Sequence, residues 1–134
     1  MKVILDTNVL VSAIFFSSGP PRQILLAWNQ GKFKLVISPQ IFQEYRATIG
    51  ELQSRYPTVS IEPILDLLLL SSEMCSGQKS LESICKDPED DKFIHCALLS
   101  GTRLIVSGDK HLLKVSGYQN IEVLRPRKFL EKHL

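Results

Sequence analysis

Short apolar runs alternate along the chain with longer stretches in which apolar residues recur at helical spacing. The apolar runs predict buried strands at residues 3–5, 34–37, 104–106 and 121–124. The spaced patterns predict helices over 9–16, 22–30, from 39 onward, 61–70, 90–99, 109–113 and from 126 to the end. Residues 71–88 are polar and mixed in propensity, so we expect a loop there, with one short strand as the alternative.

Residues that cap helices mark several of these boundaries. We expect Asp6-Thr7-Asn8, Ser38-Pro39 and Ser60 to start helices, because short polar side chains satisfy free backbone N–H groups and proline suits the first turn. Gly31 and Gly101 follow predicted helices and would end them in the left-handed conformation.

Helices that alternate with continuously apolar strands predict a parallel sheet covered by helices on both faces. The chain has 134 residues, no internal repeat and no low-complexity tract, which fits one domain of ordinary size. We therefore expect a single α/β domain over residues 1–134, built as a three-layer α/β/α sandwich.

The charge is nearly balanced overall but unevenly distributed. Sixteen basic and fourteen acidic residues give a net charge of +2, which by itself indicates no polyanionic partner. Residues 73–91 hold six acidic residues and two lysines, whereas residues 103–134 hold seven basic and three acidic residues. This distribution suits a metal-dependent enzyme that acts on a polyanion, and solvated charged faces explain it equally well.

The cysteines and the hydropathy of the chain indicate the cellular compartment in which the protein is expected. Cys75, Cys85 and Cys96 cannot all pair with one another and have no zinc-site spacing, so we expect reduced thiols. No secretory signal is evident, and the longest apolar stretch, 64–70, contains Asp66 and is too short to cross a bilayer. We therefore expect a cytoplasmic protein without a membrane partner.

Carboxylates follow or flank several predicted strands. Asp6 follows the first strand and Asp109 the third, while Glu44 lies about two turns into the helix after the second. Asp90 and Asp91 open the helix that leads to the third strand. Each alone is explained as a helix cap or a solvated residue, but together they would converge on one sheet edge, where like charges repel unless a cation neutralises them.

Ligand sets made only of oxygen select Mg²⁺ or Mn²⁺ rather than zinc, and such ions support hydrolysis of phosphodiester bonds. Ser12, Ser107 and His95 form no recognisable Ser-His-Asp arrangement, and there is no glycine-rich phosphate loop. A phosphohydrolase with Asp6 as covalent nucleophile is an alternative, although such enzymes usually have a second Asp where this chain has Asn8.

Four segments resemble, in order, the motifs of PIN-domain proteins, and most closely the bacterial branch described as toxins of toxin–antitoxin systems. They are Val3-Ile4-Leu5-Asp6-Thr7-Asn8, Ser38-Pro39-Gln40-Ile41-Phe42-Gln43-Glu44-Tyr45, Asp87-Pro88-Glu89-Asp90-Asp91-Lys92-Phe93 and Val106-Ser107-Gly108-Asp109-Lys110. The resemblance spans nearly the whole chain. It implies a parallel sheet of about five strands and a ribonuclease that depends on Mg²⁺ or Mn²⁺.

The resemblance also implies roles for particular residues. Asp6, Glu44, Asp90 and Asp109 would form the catalytic acidic quartet around the metal, with Asp91 sharing or taking the place of Asp90 as a metal ligand. Two further residues would support this site, Asn8 by hydrogen bonding and Ser107 as the small hydroxyl residue before the last acid.

Basic residues near the predicted site would contact an RNA backbone, Lys110 and Arg103 first among them, with a solvated face as the equal alternative. The resemblance further implies a homodimer and a cognate antitoxin protein. The leading function is a metal-dependent endoribonuclease, the toxin of a type II pair. The alternative is a non-catalytic PIN-like module that binds RNA or a protein.

Overall fold

A five-stranded sheet lies at the centre of the computed structural model, which describes residues 1–16, 18–75 and 88–134. All its strands are parallel, and their spatial order is β3-β2-β1-β4-β5. The strands are β1 (Lys2–Leu5), β2 (Lys34–Ile37), β3 (Glu73–Met74), β4 (Leu104–Val106) and β5 (Glu122–Leu124).

Helices flank the sheet, which confirms the predicted three-layer α/β class. They are α1 (Thr7–Phe15), α2 (Pro20–Asn29), α3 (Pro39–Gln53), α4 (Glu62–Ser71), α5 (Asp91–Ser100), α6 (Lys110–Lys114) and α7 (Pro126–His133). Short 3₁₀ turns occupy Pro88–Asp90 and Tyr118–Asn120. The parallel sheet of about five strands, which the family resemblance implied, is thus confirmed.

The central strands are apolar on both faces because helices cover both. Val3, Ile4 and Leu5 of β1 are buried, as are the last three residues of β2. They belong to one hydrophobic cluster that also includes side chains of helices packed on the sheet, among them Ile41 and Phe93. This burial explains why the strands appear in the sequence as continuous rather than alternating apolar runs.

The strand order changes direction at β1, which pairs with β2 on one side and with β4 on the other. Such a switch point opens a crevice at the carboxyl ends of the strands, where ligands of open α/β sheets bind. The backbone N–H of Asp6 donates to the Val106 carbonyl at 2.9 Å, one residue beyond the paired strands. Asp6 is therefore held next to the end of β4.

Most predicted helix boundaries agree with the structure to within one residue. Ser38 Oγ accepts a hydrogen bond from the Ile41 N–H at 3.2 Å and so caps α3. Gly31 and Gly101 adopt left-handed conformations, with φ of 78° and 71°. The predicted start of the terminal helix at Pro126 is also confirmed.

Two helix starts were placed two residues late, and one helix cap was assigned to the wrong residue. α1 begins at Thr7 instead of Val9, because the Asp6 backbone carbonyl already accepts from the N–H groups of Val9 and Leu10 while the Asp6 side chain caps nothing. α2 begins at Pro20, since two successive prolines fit the first helical turn. α4 is preceded by Ile61 at the cap position instead of Ser60.

The segment predicted as a loop over 71–88 contains the short strand β3, so the alternative reading of that segment is confirmed for its first part. The rest of that prediction, including Cys85 and Asp87, lies outside the described residues. Cys75 and Cys96 are buried free thiols.

Among the residues that the structure describes, no single helix is long and apolar enough to cross a membrane. α1 and α2 reach that length and apolarity only when counted together as a bent pair, and the apolar side chains of α1 lie in the core.

Candidate active site

Asp6 lies at the carboxyl end of β1 and is only 5% exposed. Its Oδ2 accepts a hydrogen bond from Ser107 Oγ at 2.7 Å. Ser107 follows β4 and is fully buried. The side chains at the ends of the two switch-point strands are thus joined directly.

Ser107 also links Asp6 to Asp109. The backbone N–H of Asp109 donates to Ser107 Oγ at 2.9 Å. Asp109 Oδ1 in turn caps α6 by accepting from the N–H groups of His111 at 2.7 Å and Leu112 at 3.3 Å. Within the described part of the chain Asp109 Oδ2 accepts no hydrogen bond, which leaves it available to a ligand.

Glu44 approaches the same site from α3. Thr7, the first residue of α1, donates a hydrogen bond from Oγ1 to Glu44 Oε2. The other carboxylate oxygen, Oε1, lies 2.5 Å from Lys92 Nζ. Glu44 is therefore tied to residues from α1 and α5.

Tyr45 anchors α3 to the central strand. It is fully buried, and its hydroxyl donates to the backbone carbonyl of Leu5, the residue before Asp6. Burial raises the pKa of Tyr45 well above its usual range, and the negative charges of Asp6 and Glu44 add to this effect. The phenol therefore stays neutral and acts as a donor.

The carboxylates interact electrostatically. Burial raises the pKa of Asp6, the Ser107 hydrogen bond opposes this effect, and the charges of Asp109 and Glu44 raise the pKa further. A buried acid whose pKa is raised by like charges, at the carboxyl ends of parallel strands, is typical of a functional site. Glu44 and Asp109, which come from two other segments, are thus close enough to Asp6 for their charges to act on it.

Lys92 supplies positive charge beside these acids. Burial lowers the pKa of Lys92, but hydrogen bonds and charge from Glu44 and Glu89 outweigh burial, so its pKa is raised overall and it stays protonated. Its Nζ lies 3.2 Å from Glu89 Oε2 in addition to the contact with Glu44.

Asp90 and Asp91 are buried where α5 begins, at 9% and 7% exposure. The next residue, Lys92, reaches Glu44, so this segment lies alongside the acid group. Whether Asp90 or Asp91 is the ligand stays a prediction.

The three other candidate residues, Asn8, Lys110 and Arg103, are exposed. Asn8 is exposed in the first turn of α1 and its side chain makes no hydrogen bond to the part of the chain described. Lys110 is exposed directly after Asp109. Arg103 precedes β4 and therefore lies at the amino edge of the sheet, away from the acids.

Two residues of the site were missed by sequence reasoning. Thr7 holds Glu44, and Lys92 neutralises it. Thr7 stands inside the opening motif, and Lys92 is three residues after Glu89 on one helical face, which was the available signal for an ion pair.

The donor set fits a hard divalent cation, because Asp6, Glu44 and Asp109 offer carboxylate oxygens and crowd negative charge together. Over residues 1–16, 18–75 and 88–134, however, no three His, Cys, Asp or Glu side chains are already spaced as a metal cage. Lys92 provides the compensating charge at Glu44 in this arrangement.

The fold and the site together define an α/β protein with several acidic residues at the switch point of a parallel sheet. The family profile of the PIN domain matches residues 2–111, and the chain therefore belongs to the PIN-domain family. This family includes nucleases, and its members typically bind a divalent metal ion.

A relative from Methanocaldococcus jannaschii, named uncharacterized protein MJ1680, is 29% identical over 143 aligned positions. The alignment covers 98% of this chain and 91% of the relative. The similarity therefore extends past the segment matched by the family profile, into the last strand and helix.

Proposed function

We propose that this protein is a metal-dependent endoribonuclease that hydrolyses RNA phosphodiester bonds with Mg²⁺ or Mn²⁺. The observation that carries the proposal is the hydrogen-bonded series from Asp6 through Ser107 to Asp109, at the switch point, with Glu44 acting on Asp6 by its charge. Family membership points to the same class of chemistry.

Asp6, Glu44, Asp109 and Asp90 would hold the metal, with Asp91 as the alternative to Asp90. A bound Mg²⁺ or Mn²⁺ supplies activation of water and neutralisation of charge on the phosphoryl group. No separate nucleophilic side chain is needed for this hydrolysis.

The chain's own residues orient these acids. Ser107 fixes Asp6 by donating to one carboxylate oxygen, and the first turn of α6 fixes Asp109 by donating to Oδ1. Thr7 holds one oxygen of Glu44. These contacts hold the three carboxylates on rigid elements, which favours reproducible placement of ligands.

RNA would approach from the exposed side of Asp109. Lys110 is exposed there and can contact phosphate oxygens next to the acids. Asn8 is exposed on the first turn of α1, beside Thr7, and would support the site by hydrogen bonding, as the family resemblance implies. Arg103, at the opposite edge, is a weaker candidate for this contact.

The further proposals rest on the family resemblance. Residues 1–134 would form a single PIN-like nuclease domain that acts as the toxin of a type II pair, assembles as a homodimer and is bound by a cognate antitoxin. Growth arrest on expression, with rescue by the product of a neighbouring gene, tests the toxin role. Light scattering of the purified protein tests the dimer.

The activity is tested by incubating purified protein with structured and unstructured RNAs in Mn²⁺ or in EDTA. We expect cleavage only with metal, and its loss in Asp6→Asn. Glu131→Gln, which removes an equal charge from an exposed position on α7, is the matched control and should cleave as the parent does.

Equal cleavage rates for Asp6→Asn and the parent would contradict the assignment of Asp6 to the active site. RNA binding without metal-dependent turnover, across varied RNAs, would favour the alternative function, a non-catalytic module that binds RNA or protein.

A further inference from the structure

Lys92 occupies the place at Glu44 that a divalent cation would need. Its Nζ lies 2.5 Å from Glu44 Oε1, while Thr7 takes the other oxygen. The Lys92 side chain is 18% exposed and that of Glu44 29% exposed, so water screens this pair less than it screens a surface pair. Both oxygens of Glu44 therefore have partners.

The ammonium also has a second partner on the solvent side. Lys92 Nζ lies 3.2 Å from Glu89 Oε2, and the Glu89 side chain is 80% exposed. A flexible lysine stem can turn between two carboxylates that lie within its reach. Lys92 thus already contacts Glu89 and can keep this ion pair when it leaves Glu44.

We propose that Lys92 is a resident cation that neutralises Glu44 in the metal-free protein and has to move toward Glu89 before a divalent cation can bind Glu44. This inference rests on the proposed metal-dependent function. An ammonium and a divalent cation on one carboxylate repel each other, so they compete for it. Lys92 is therefore a positioning residue that sets the metal concentration at which the site fills.

The competition predicts opposite effects of two substitutions on Mn²⁺ affinity measured by calorimetry. Lys92→Met keeps most of the apolar stem and removes the ammonium, so Mn²⁺ should bind about fivefold or more tightly. Lys92→Arg keeps the charge and should restore affinity toward that of the parent. A purely structural role for Lys92 would give weaker binding in Lys92→Met, because the site would loosen.

Glu89→Gln should weaken Mn²⁺ binding, because Lys92 loses its alternative partner and is held on Glu44. In the Lys92→Met background the same substitution should have little effect, since there is no ammonium left to displace. This double-mutant cycle separates an effect that passes through Lys92 from a general loss of negative charge.

The matched control is Lys132→Met. Lys132 Nζ lies 2.5 Å from Glu122 Oε2, at the amino edge of the sheet, so the substitution removes an ion pair of equal length and equal charge far from the acids. Mn²⁺ affinity should be unchanged in this variant. An equal gain in Lys132→Met and Lys92→Met would overturn the proposal, since net charge alone would then explain both.

The outcomes also separate this inference from the proposed function. Tighter Mn²⁺ binding only in Lys92→Met supports the resident cation, even if the parent binds Mn²⁺ too weakly to measure. Equal or weaker Mn²⁺ binding in Lys92→Met overturns the proposed role of Lys92. The proposed metal-dependent function still stands in that case, provided that the parent binds Mn²⁺. If neither the parent nor Lys92→Met binds Mn²⁺, both the resident-cation proposal and the proposed metal-dependent function are overturned.

Discussion

Ser107 donates a hydrogen bond to Asp6 across 2.7 Å, although the two residues are 101 positions apart in the sequence. They meet because β1 and β4 are parallel neighbours in register, with Leu5 opposite Val106. Ser107 Oγ also accepts from the Asp109 N–H, so one hydroxyl connects two of the proposed metal ligands. We therefore expect this serine to affect both stability and activity.

Ser107→Ala should destabilise the protein by about 1–3 kcal/mol in urea unfolding, because a buried carboxylate loses its side-chain donor. Ser54→Ala is the control, since Ser54 Oγ donates to the nearby Glu51 carbonyl at an exposed helix end. That variant should unfold within about 0.5 kcal/mol of the parent. Equal stabilities for Ser107→Ala and the parent would contradict the role assigned to this hydroxyl.

Asp6→Asn should stabilise the metal-free protein. The charged carboxylate is buried near Asp109 and Glu44, and an amide of the same shape removes the repulsion while still accepting from Ser107. We expect a gain of about 1 kcal/mol in EDTA, measured by chemical unfolding. A less stable Asp6→Asn in EDTA would show that the acids do not strain the metal-free fold.

The gain should depend on pH in a definite direction. The folded-state pKa of Asp6 is raised, so the folded protein binds the proton more tightly than the unfolded chain, and ionised Asp6 costs stability at neutral pH. This cost disappears as the pH falls through the folded pKa toward the ordinary value of 3.8. The advantage of Asp6→Asn should therefore shrink on acidification, and a gain that stays constant would contradict the burial of this charge.

Much of the fold could be predicted from the sequence because local signals agree with the final structure. The continuous apolar runs predicted four of the strands, and Ser38 predicted the start of α3. The start of α1 was placed two residues late, because Asp6-Thr7-Asn8 was interpreted as a capping segment before the helix, whereas Thr7 and Asn8 already belong to α1. β3 is two residues long and had no pattern that could be told from a loop.

Part of the candidate site could also be predicted from local signals in the sequence. Asp6 directly follows β1, Asp109 follows β4 after Ser107 and Gly108, and the parallel topology brings those strand ends together. The contact of Lys92 with Glu44 depends on how α5 packs against α3, which the linear sequence does not encode in any local pattern. Tyr45 likewise resembled an ordinary core residue, whereas its hydroxyl fixes α3 to β1.

Tyr45→Phe should cost about 1 kcal/mol of stability and lower metal-dependent cleavage, because α3 loses its hydrogen bond to the Leu5 carbonyl and Glu44 is held less firmly. Tyr118→Phe is the matched control, since the hydroxyl of Tyr118 accepts a hydrogen bond from the neighbouring Gln119 at an exposed turn. Unfolding curves and cleavage rates of both variants check this prediction. A Tyr45→Phe protein with parental stability and rate would contradict it.

Lys110→Ala should weaken RNA binding and reduce the slope of log affinity against log salt by about 1, as expected for loss of one phosphate contact. Lys32→Ala is the control because Lys32 is exposed before β2, at the opposite edge of the sheet. Fluorescence anisotropy over a salt series, with a catalytically impaired Asp6→Asn background, measures both. Equal slopes for the two variants would place the RNA elsewhere.

The central claim is that the acids at the end of β1 and β4 hold the metal for RNA cleavage, and Asp109→Asn tests it most directly. An Asn side chain still accepts from the His111 and Leu112 N–H groups, so α6 stays capped while the charge is lost. The measurement is the rate of RNA cleavage at saturating Mn²⁺, with unfolding checked in the same preparation. We expect a folded variant that is slower by about 100-fold or more, whereas a folded variant that cleaves as fast as the parent would contradict the account.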